Sequence, residues 1–287
     1  MVIVGKNLQL RPMTQEDIPF AMKLKSMANW NQLESDWRLL VKADLGGNFI
    51  AVYNDQDAGT VTTITYNAQF SWIGMVLVDP GIRGLGIGSA LLNAAIAFAK
   101  RNGAIRLDAT PKGKKLYETL GFKAERNLLR FERKSVKHLP APMQKCKSIS
   151  AESFKKILEV DPFVFGADRK MVLRFLLDTA PQYAHYLEKD GGISGYCFGR
   201  SGCDFEHIGP IIAQNQADAR DLLLSALLTC QSVPVILDVF EENSQWLEEL
   251  ESLEFKIQRP FIRMYLGELK NAGKIGLQYA IAGPELG

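Results

Sequence analysis

Between Val76 and Ser89 an apolar run rich in valine breaks at Asp79-Pro80-Gly81. It then passes through three alternating glycines, Gly84, Gly86 and Gly88, into a stretch with helical spacing. A strand that enters a helix through such a turn leaves several backbone N–H groups free at the positive end of the helix dipole, which favours an anionic ligand. Glycine suits the turn because a Cβ there would hold a phosphate away from the backbone. The helix is predicted over residues 87–100, with Leu91, Leu92, Ala95, Ile96 and Ala99 on its apolar side and Gly103 near its end.

Two familiar phosphate motifs do not fit. A Walker loop ends in Gly-Lys-Ser/Thr, whereas this loop ends in Gly88-Ser89-Ala90. A dinucleotide fingerprint stands early in a βαβ unit, and here several strands precede the glycines. A purely structural turn would not need three alternating glycines and Arg83.

Around this loop the first half reads as mixed α/β with the sheet in the middle. Strands are predicted at residues 7–11, 48–54, 59–66, 72–78, 105–109 and 128–133, the second and third forming a hairpin. Helices are predicted at 15–27 (N-capped by Thr14), 33–41 and 112–120.

The chain has 287 residues, 47% hydrophobic and 23% charged, which excludes disorder as its main state and suits one large or two medium domains. Pro140 and Pro142 lie in a polar stretch that reads as a short, stiff linker. The division is 1–135 for the first domain, 136–148 for the linker and 149–287 for the second domain. Residues 1–137 hold 19 Lys and Arg against 12 Asp and Glu, and residues 138–287 hold 15 against 20. An anionic ligand thus favours the first half and a cationic one the second. No basic run suggests nucleic acid, and no apolar run is long enough to span a membrane. The four cysteines form no C-x-x-C pair and His138, His185 and His207 fit no zinc spacing, so no metal is expected. The expectation is a cytoplasmic protein with free thiols.

Arg83-x-x-Gly86-x-Gly88 after a Val-Asp-Pro strand end resembles the acyl-CoA pyrophosphate loop of the GNAT N-acetyltransferase superfamily. Downstream, Tyr117-x-x-Leu120-Gly121-Phe122 is similar to that family's signature after the fifth strand. Further stretches, Trp30-Asn31-Gln32 with Asp36-Trp37, Leu107 to Pro111, Phe165 to Arg169 and Ala280 to Gly287, resemble a bacterial branch with a second, divergent domain. Asn29 stands before Trp30 where that branch implies glycine.

The resemblance implies an α/β (α+β) fold of two tandem GNAT-like domains, each a mixed, mostly antiparallel sheet flanked by helices. It implies acetyl-CoA as co-substrate and no metal. Val76, Leu77 and Val78 would pair with the pantetheine, the loop from Arg83 through Gly84, Leu85, Gly86, Ile87 and Gly88 to Ser89 would hold the pyrophosphate, and Thr110 would join the cofactor site. Tyr117 matches the general-acid position, although its ring could simply pack under its helix. Glu34, Asp36 and His185 are candidates for the base, with Asp36 favoured. Trp30, Gln32, Glu34 and Asp168 are expected on the acceptor side. Trp30 and Trp37 could equally pin helices to the sheet, and Asp168 could be a helix cap.

In the second half no glycine lies between Ala213 and Leu228, and Asp218 and Asp221 stand near a predicted helix start, where they disfavour phosphate. This half is expected to carry no CoA loop and to help form the acceptor site. The expected activity is acetyl transfer to a primary amine of a small molecule. A non-catalytic acyl-CoA-binding or regulatory protein and a protein-lysine acetyltransferase are the alternatives.

Overall fold

The computed structural model describes residues 2–5, 7–67, 69–135, 139–230 and 233–287, so His138 and the first three residues of the predicted linker lie outside the described residues. The first half runs β1 (Val2–Gly5), β2 (Leu8–Pro12), α1 (Ile18–Met27), α2 (Glu34–Ala43), β3 (Phe49–Tyr53), β4 (Gln56–Tyr66) and β5 (Phe70–Val78). It continues through α3 (Ile87–Ala99), β6 (Ala104–Ala109), α4 (Pro111–Thr119) and β7 (Lys123–Arg133). The β3–β4 hairpin turns on Asn54 and Asp55, both at positive φ, the conformation a tight two-residue turn demands. The predicted first helix begins as a 3-10 turn: the Thr14 N–H donates to the Asp17 carboxylate (2.7 Å), which Arg11 also holds with two hydrogen bonds.

The second half runs β8 (Lys147–Ser148), α5 (Ala151–Phe165), α6 (Lys170–Thr179), β9 (His185–Lys189), β10 (Gly192–Arg200) and β11 (Glu206–Ala213). Then follow α7 (Gln216–Leu227), β12 (Val235–Phe240), α8 (Ser244–Ser252), β13 (Lys256–Leu266) and β14 (Gln278–Ala280). Among the described residues no helix is long and apolar enough to cross a membrane.

All strands belong to one sheet in the order β1-β2-β3-β4-β5-β6-β13-β7-β12-β11-β10-β9-β8, with β14 beside β11. The last long strand of each half has crossed over. β13 lies between β6 and β7, and β7 pairs with β12 from Leu128 to Arg133. Most pairs are antiparallel; β5–β6 and β11–β12 are the parallel ones.

Charge fixes the crossover register. Arg263 on β13 sits opposite Asp108 on β6 and donates to it twice at 2.9 Å, while Arg130 on β7 sits opposite Asp238 on β12 and donates twice at 2.7 Å. These side chains are buried, so a one-residue slip would leave unpaired charges in the core. The Arg263 guanidinium also covers the rings of Trp72 and Phe240. One apolar cluster contains Trp37, Phe70 and Trp72 from the first half together with Phe154, Phe165 and Phe198 from the second.

Candidate functional site

Strand β5 does not stay beside β6. The two pair only from Phe70 to Trp72, and at Met75 the backbone turns to φ +50° where the register with β4 shifts. The Thr60 hydroxyl donates to the Met75 carbonyl (2.8 Å) and holds this bulge. A bulge bends its strand, and beyond it β5 pairs with β4 alone while β6 pairs with β13. The free side of Val76, Leu77 and Val78 faces a cavity of about 880 Å³.

The glycine loop lines the same cavity at Arg83, Gly84, Gly86, Ile87, Gly88 and Ser89. Gly84 and Gly86 have φ of +85° and +77°, a left-handed backbone that a Cβ would strain. Gly88 is different: its φ is ordinary and a Cβ there would meet only van der Waals contacts, so no protein neighbour demands glycine. Gly86 caps α3 without a side chain, so no side-chain oxygen covers the first-turn amides. These features fit a diphosphate. Arg83 folds back, its Nε donating to the Val78 carbonyl at 3.2 Å.

Thr110 and Tyr117 form another wall. Thr110 caps α4 by accepting from the Gly113 N–H, and Gly113 makes room for the Tyr117 ring, since a Cβ there would lie 3.0 Å from it. The ring packs edge-on against Phe122. Burial pushes the Tyr117 hydroxyl up from 10 to about 12, so it stays protonated and able to donate at neutral pH.

The far end of the cavity is built from both halves. Trp30, Asn31 and Gln32 from the α1–α2 loop meet Arg130, Arg259, Phe261 and the C-terminal residues Pro284 and Glu285. Trp72 Nε1 donates to the Pro284 carbonyl (2.8 Å) and the Tyr66 hydroxyl to that of Leu286 (2.5 Å), which pins the C-terminal segment over β5. Glu285 is 4% exposed and accepts from Arg200 and from Gln32 Nε2 (2.9 Å). Arg200 also donates to Asp36 at 2.5 Å, so two carboxylates share one guanidinium. Burial, reinforced by the Glu285 charge, pushes Asp36 up despite Arg200. At Glu285 burial acts the same way, but Arg200 and Gln32 outweigh it and hold the carboxyl below its usual range. His207, 3.1 Å from Asp238 and 3.4 Å from Arg200, is pushed down by burial and stays neutral.

The structure gathers Trp30, Gln32, Val76, Leu77, Val78, Thr110, Tyr117 and the loop residues other than Leu85 around one cavity. Leu85 is exposed and does not line it. Nor do the carboxylates picked from the sequence. Asp36 is buried behind Arg200 and accepts from the Leu33 N–H (2.6 Å) as part of the start of α2. Glu34 is exposed and paired with Arg38, Asp168 is exposed and accepts from the Lys170 N–H (2.7 Å), and His185 lies outside the lining. Glu285, Arg130, Arg259, Phe261 and Asp108 line the wall without having been candidate site residues. Asp108 and Glu285 had an advance signal in the Leu107 to Pro111 and Ala280 to Gly287 runs, and the other three had none.

The second half has a splayed strand pair too, but fills it. β11 and β12 pair only at Glu206 and His207, and β14 lies along β11 at Ile211 and Ile212. The Asn215 side chain caps α7, and Asp221 accepts from the N–H groups of Met143 (2.8 Å) and Gln144 (3.0 Å). The end of the predicted linker therefore docks on α7, beside its acidic first turn. Among the described residues no group of His, Cys, Asp and Glu could hold a metal.

A sheet splayed at a bulge, with an uncapped glycine-rich helix start in the opening, is the architecture of an acyl-CoA-dependent transferase. Sequence comparison agrees: residues 11–122 match the Acetyltransferase (GNAT) family and residues 157–280 an Acetyltransferase (GNAT) domain. The chain belongs to the GNAT superfamily, carries two such domains in tandem and is an acyltransferase. It is 24% identical to the holothin acyltransferase of Pseudoalteromonas sp. (strain SANK 73390), over 99% of this chain and 100% of that protein. A solved acetyltransferase-fold structure from Pyrococcus horikoshii superposes with a TM-score of 0.83 at 22% identity, covering 100% of this chain and 98% of that one. A tandem GNAT protein from the clavulanic acid biosynthesis pathway superposes at 0.63 with 14% identity, covering 93% and 99%. Both superpositions establish a common fold.

Proposed function

We propose that this chain transfers the acetyl group of acetyl-CoA to the primary amine of a small molecule, using one site. The first half holds the acyl donor, and the second half supplies acceptor walls and has no CoA loop of its own. The observation that carries this reading is the continuity of the cavity from the Arg83–Ser89 loop, past the free edge of β5, to Gln32, Arg259 and Glu285.

The loop amides and the helix dipole hold the pyrophosphate, and the β5 edge receives the pantetheine and orients the thioester. Acetyl-CoA supplies an acyl group on a good leaving sulfur. The neutral amine forms the new C–N bond as the C–S bond breaks, and the departing thiolate takes its proton from Tyr117. The one proton that the amine nitrogen releases to solvent is balanced by the one solvent returns to Tyr117. Pro284, Phe261 and Arg259 line the acceptor end of a concave cavity, a shape that suits a small acceptor. The similar protein named holothin acyltransferase, aligned end to end, is likewise named for one acceptor compound.

The test is thiol release from acetyl-CoA against a panel of small amines and a set of lysine-containing peptides. The reading expects release with at least one small amine and little with peptides. Release with peptides alone would assign a protein substrate, and acetyl-CoA binding without release for any amine would favour an acyl-CoA sensor.

A further inference from the structure

The acceptor end of the cavity carries three buried polar atoms with no hydrogen-bond partner among the described residues: Gln32 Oε1, Glu285 Oε2 and Arg259 Nε. Buried polar atoms are nearly always paired, so three orphans on one wall ask for a ligand. Two are acceptors and one is a donor.

Charge bookkeeping points the same way. Arg130 is matched by Asp238 and Asp108 by Arg263, while His207 is neutral. Arg200 faces both Asp36 and Glu285; burial pushes Asp36 up while Glu285 is held ionised, so Arg200 balances Glu285. Arg259 makes no ion pair among the described residues; it stacks on Phe261 (5.1 Å), as Arg130 also does. Burial and the neighbouring Arg130 both work against its charge, and Asp238 and Glu285 only partly offset them. The wall therefore presents a positive group with no ion pair among the described residues, Arg259, beside the unpartnered acceptor atoms of Gln32 and Glu285.

We propose that the acceptor carries an anionic group as well as its amine, as an amino acid does. Its nitrogen donates to Gln32 Oε1 and Glu285 Oε2, and its acid group pairs with Arg259. This rests on the acyl-transfer reading above and adds the acceptor's chemical class. Glu285 and Gln32 orient the nitrogen lone pair toward the thioester, and Arg259 selects among amines.

The experiment compares kcat/KM for glycine, β-alanine, 4-aminobutyrate, 5-aminovalerate and a set of α-amino acids, each against its carboxamide. The best carboxylate acceptor is expected to exceed its carboxamide by at least about tenfold, the size of one charge-assisted hydrogen bond. Arg259→Gln collapses that ratio mainly through KM, whereas Glu285→Gln lowers kcat/KM for both members of a pair. Lys256→Gln, on the same strand and outside the cavity, keeps the wild-type ratio. If amines are acetylated without regard to a carboxylate, this inference fails and the acyl-transfer reading stands. If Arg259→Gln weakens acetyl-CoA binding more than acceptor use, Arg259 belongs to the donor side and the inference fails. If no amine is acetylated, both fail.

Discussion

At the scale of single residues, the three loop glycines separate two reasons for being glycine. Gly86 needs a left-handed backbone, so Gly86→Ala is expected to cost about 1–2 kcal/mol of stability as well as acyl-CoA affinity. Gly88 sits in the first turn of α3 without strain or crowding, so Gly88→Ala should keep or slightly raise Tm while weakening acetyl-CoA binding. Thermal melts with and without acetyl-CoA distinguish the two, and a Gly88→Ala variant that binds normally would contradict a phosphate at that amide. Tyr117→Phe should lower kcat by about 10²–10⁴-fold with acetyl-CoA binding retained. Because burial lifts this hydroxyl to about 12, the alkaline loss of kcat should fall well above pH 10. A raised folded-state value also stabilises the fold below pH 10, a contribution lost as pH rises toward 12. Asn29 answers the one departure from the expected motif: its φ is +53°, and asparagine is among the few non-glycine residues that accept it.

At the scale of elements, loop and helix boundaries were legible because glycine, proline and 3.6-residue spacing act locally. The bulge at Met75 was not. Its residue pattern reads as an unbroken strand, and only the Thr60 hydroxyl and the register with β4 force the kink that frees the β5 edge. The acceptor carboxylate was equally hidden. Asp36 and Glu34 stood next to recognisable tryptophans, but α2 turns one into its own cap and the other toward solvent. Glu285 reaches the site only through tertiary packing of the C-terminal segment. The α1–α2 loop is held from across the molecule: Asn31 accepts from the N–H groups of Asp204 (2.9 Å) and Phe205 (3.0 Å), and a Cβ on Gly202 would lie 2.0 Å from its amide. Gly202→Ala should therefore lower Tm and raise the acceptor KM by displacing Gln32, with a smaller effect on acetyl-CoA binding. An unchanged acceptor KM in Gly202→Ala would contradict that coupling.

For the whole molecule, two repeats of one fold read clearly from the sequence, but the exchange of β7 and β13 did not. Strand partners three or more elements apart leave no local signature, and the charges that set the crossover look like ordinary surface residues until paired. Asp238→Asn breaks the buried pair with Arg130 and is expected to cost about 3–5 kcal/mol in denaturant unfolding. Burial alone would raise Asp238, but Arg130 and His207 hold it far below the usual range. Its stabilising contribution is present above the ordinary carboxylate pKa and lost as pH falls below it, so wild type should gain more stability than Asp238→Asn between pH 3 and pH 6. The central claim is one acyl-CoA site shared by two fused domains, because β14 and the docked Met143–Gln144 segment occupy the second half's counterpart. Calorimetric titration of the intact chain with acetyl-CoA tests it most directly. One molecule bound per chain, abolished in a Gly86→Ala, Gly88→Ala double variant, is the predicted result; two molecules per chain, or binding that survives those substitutions, would contradict it.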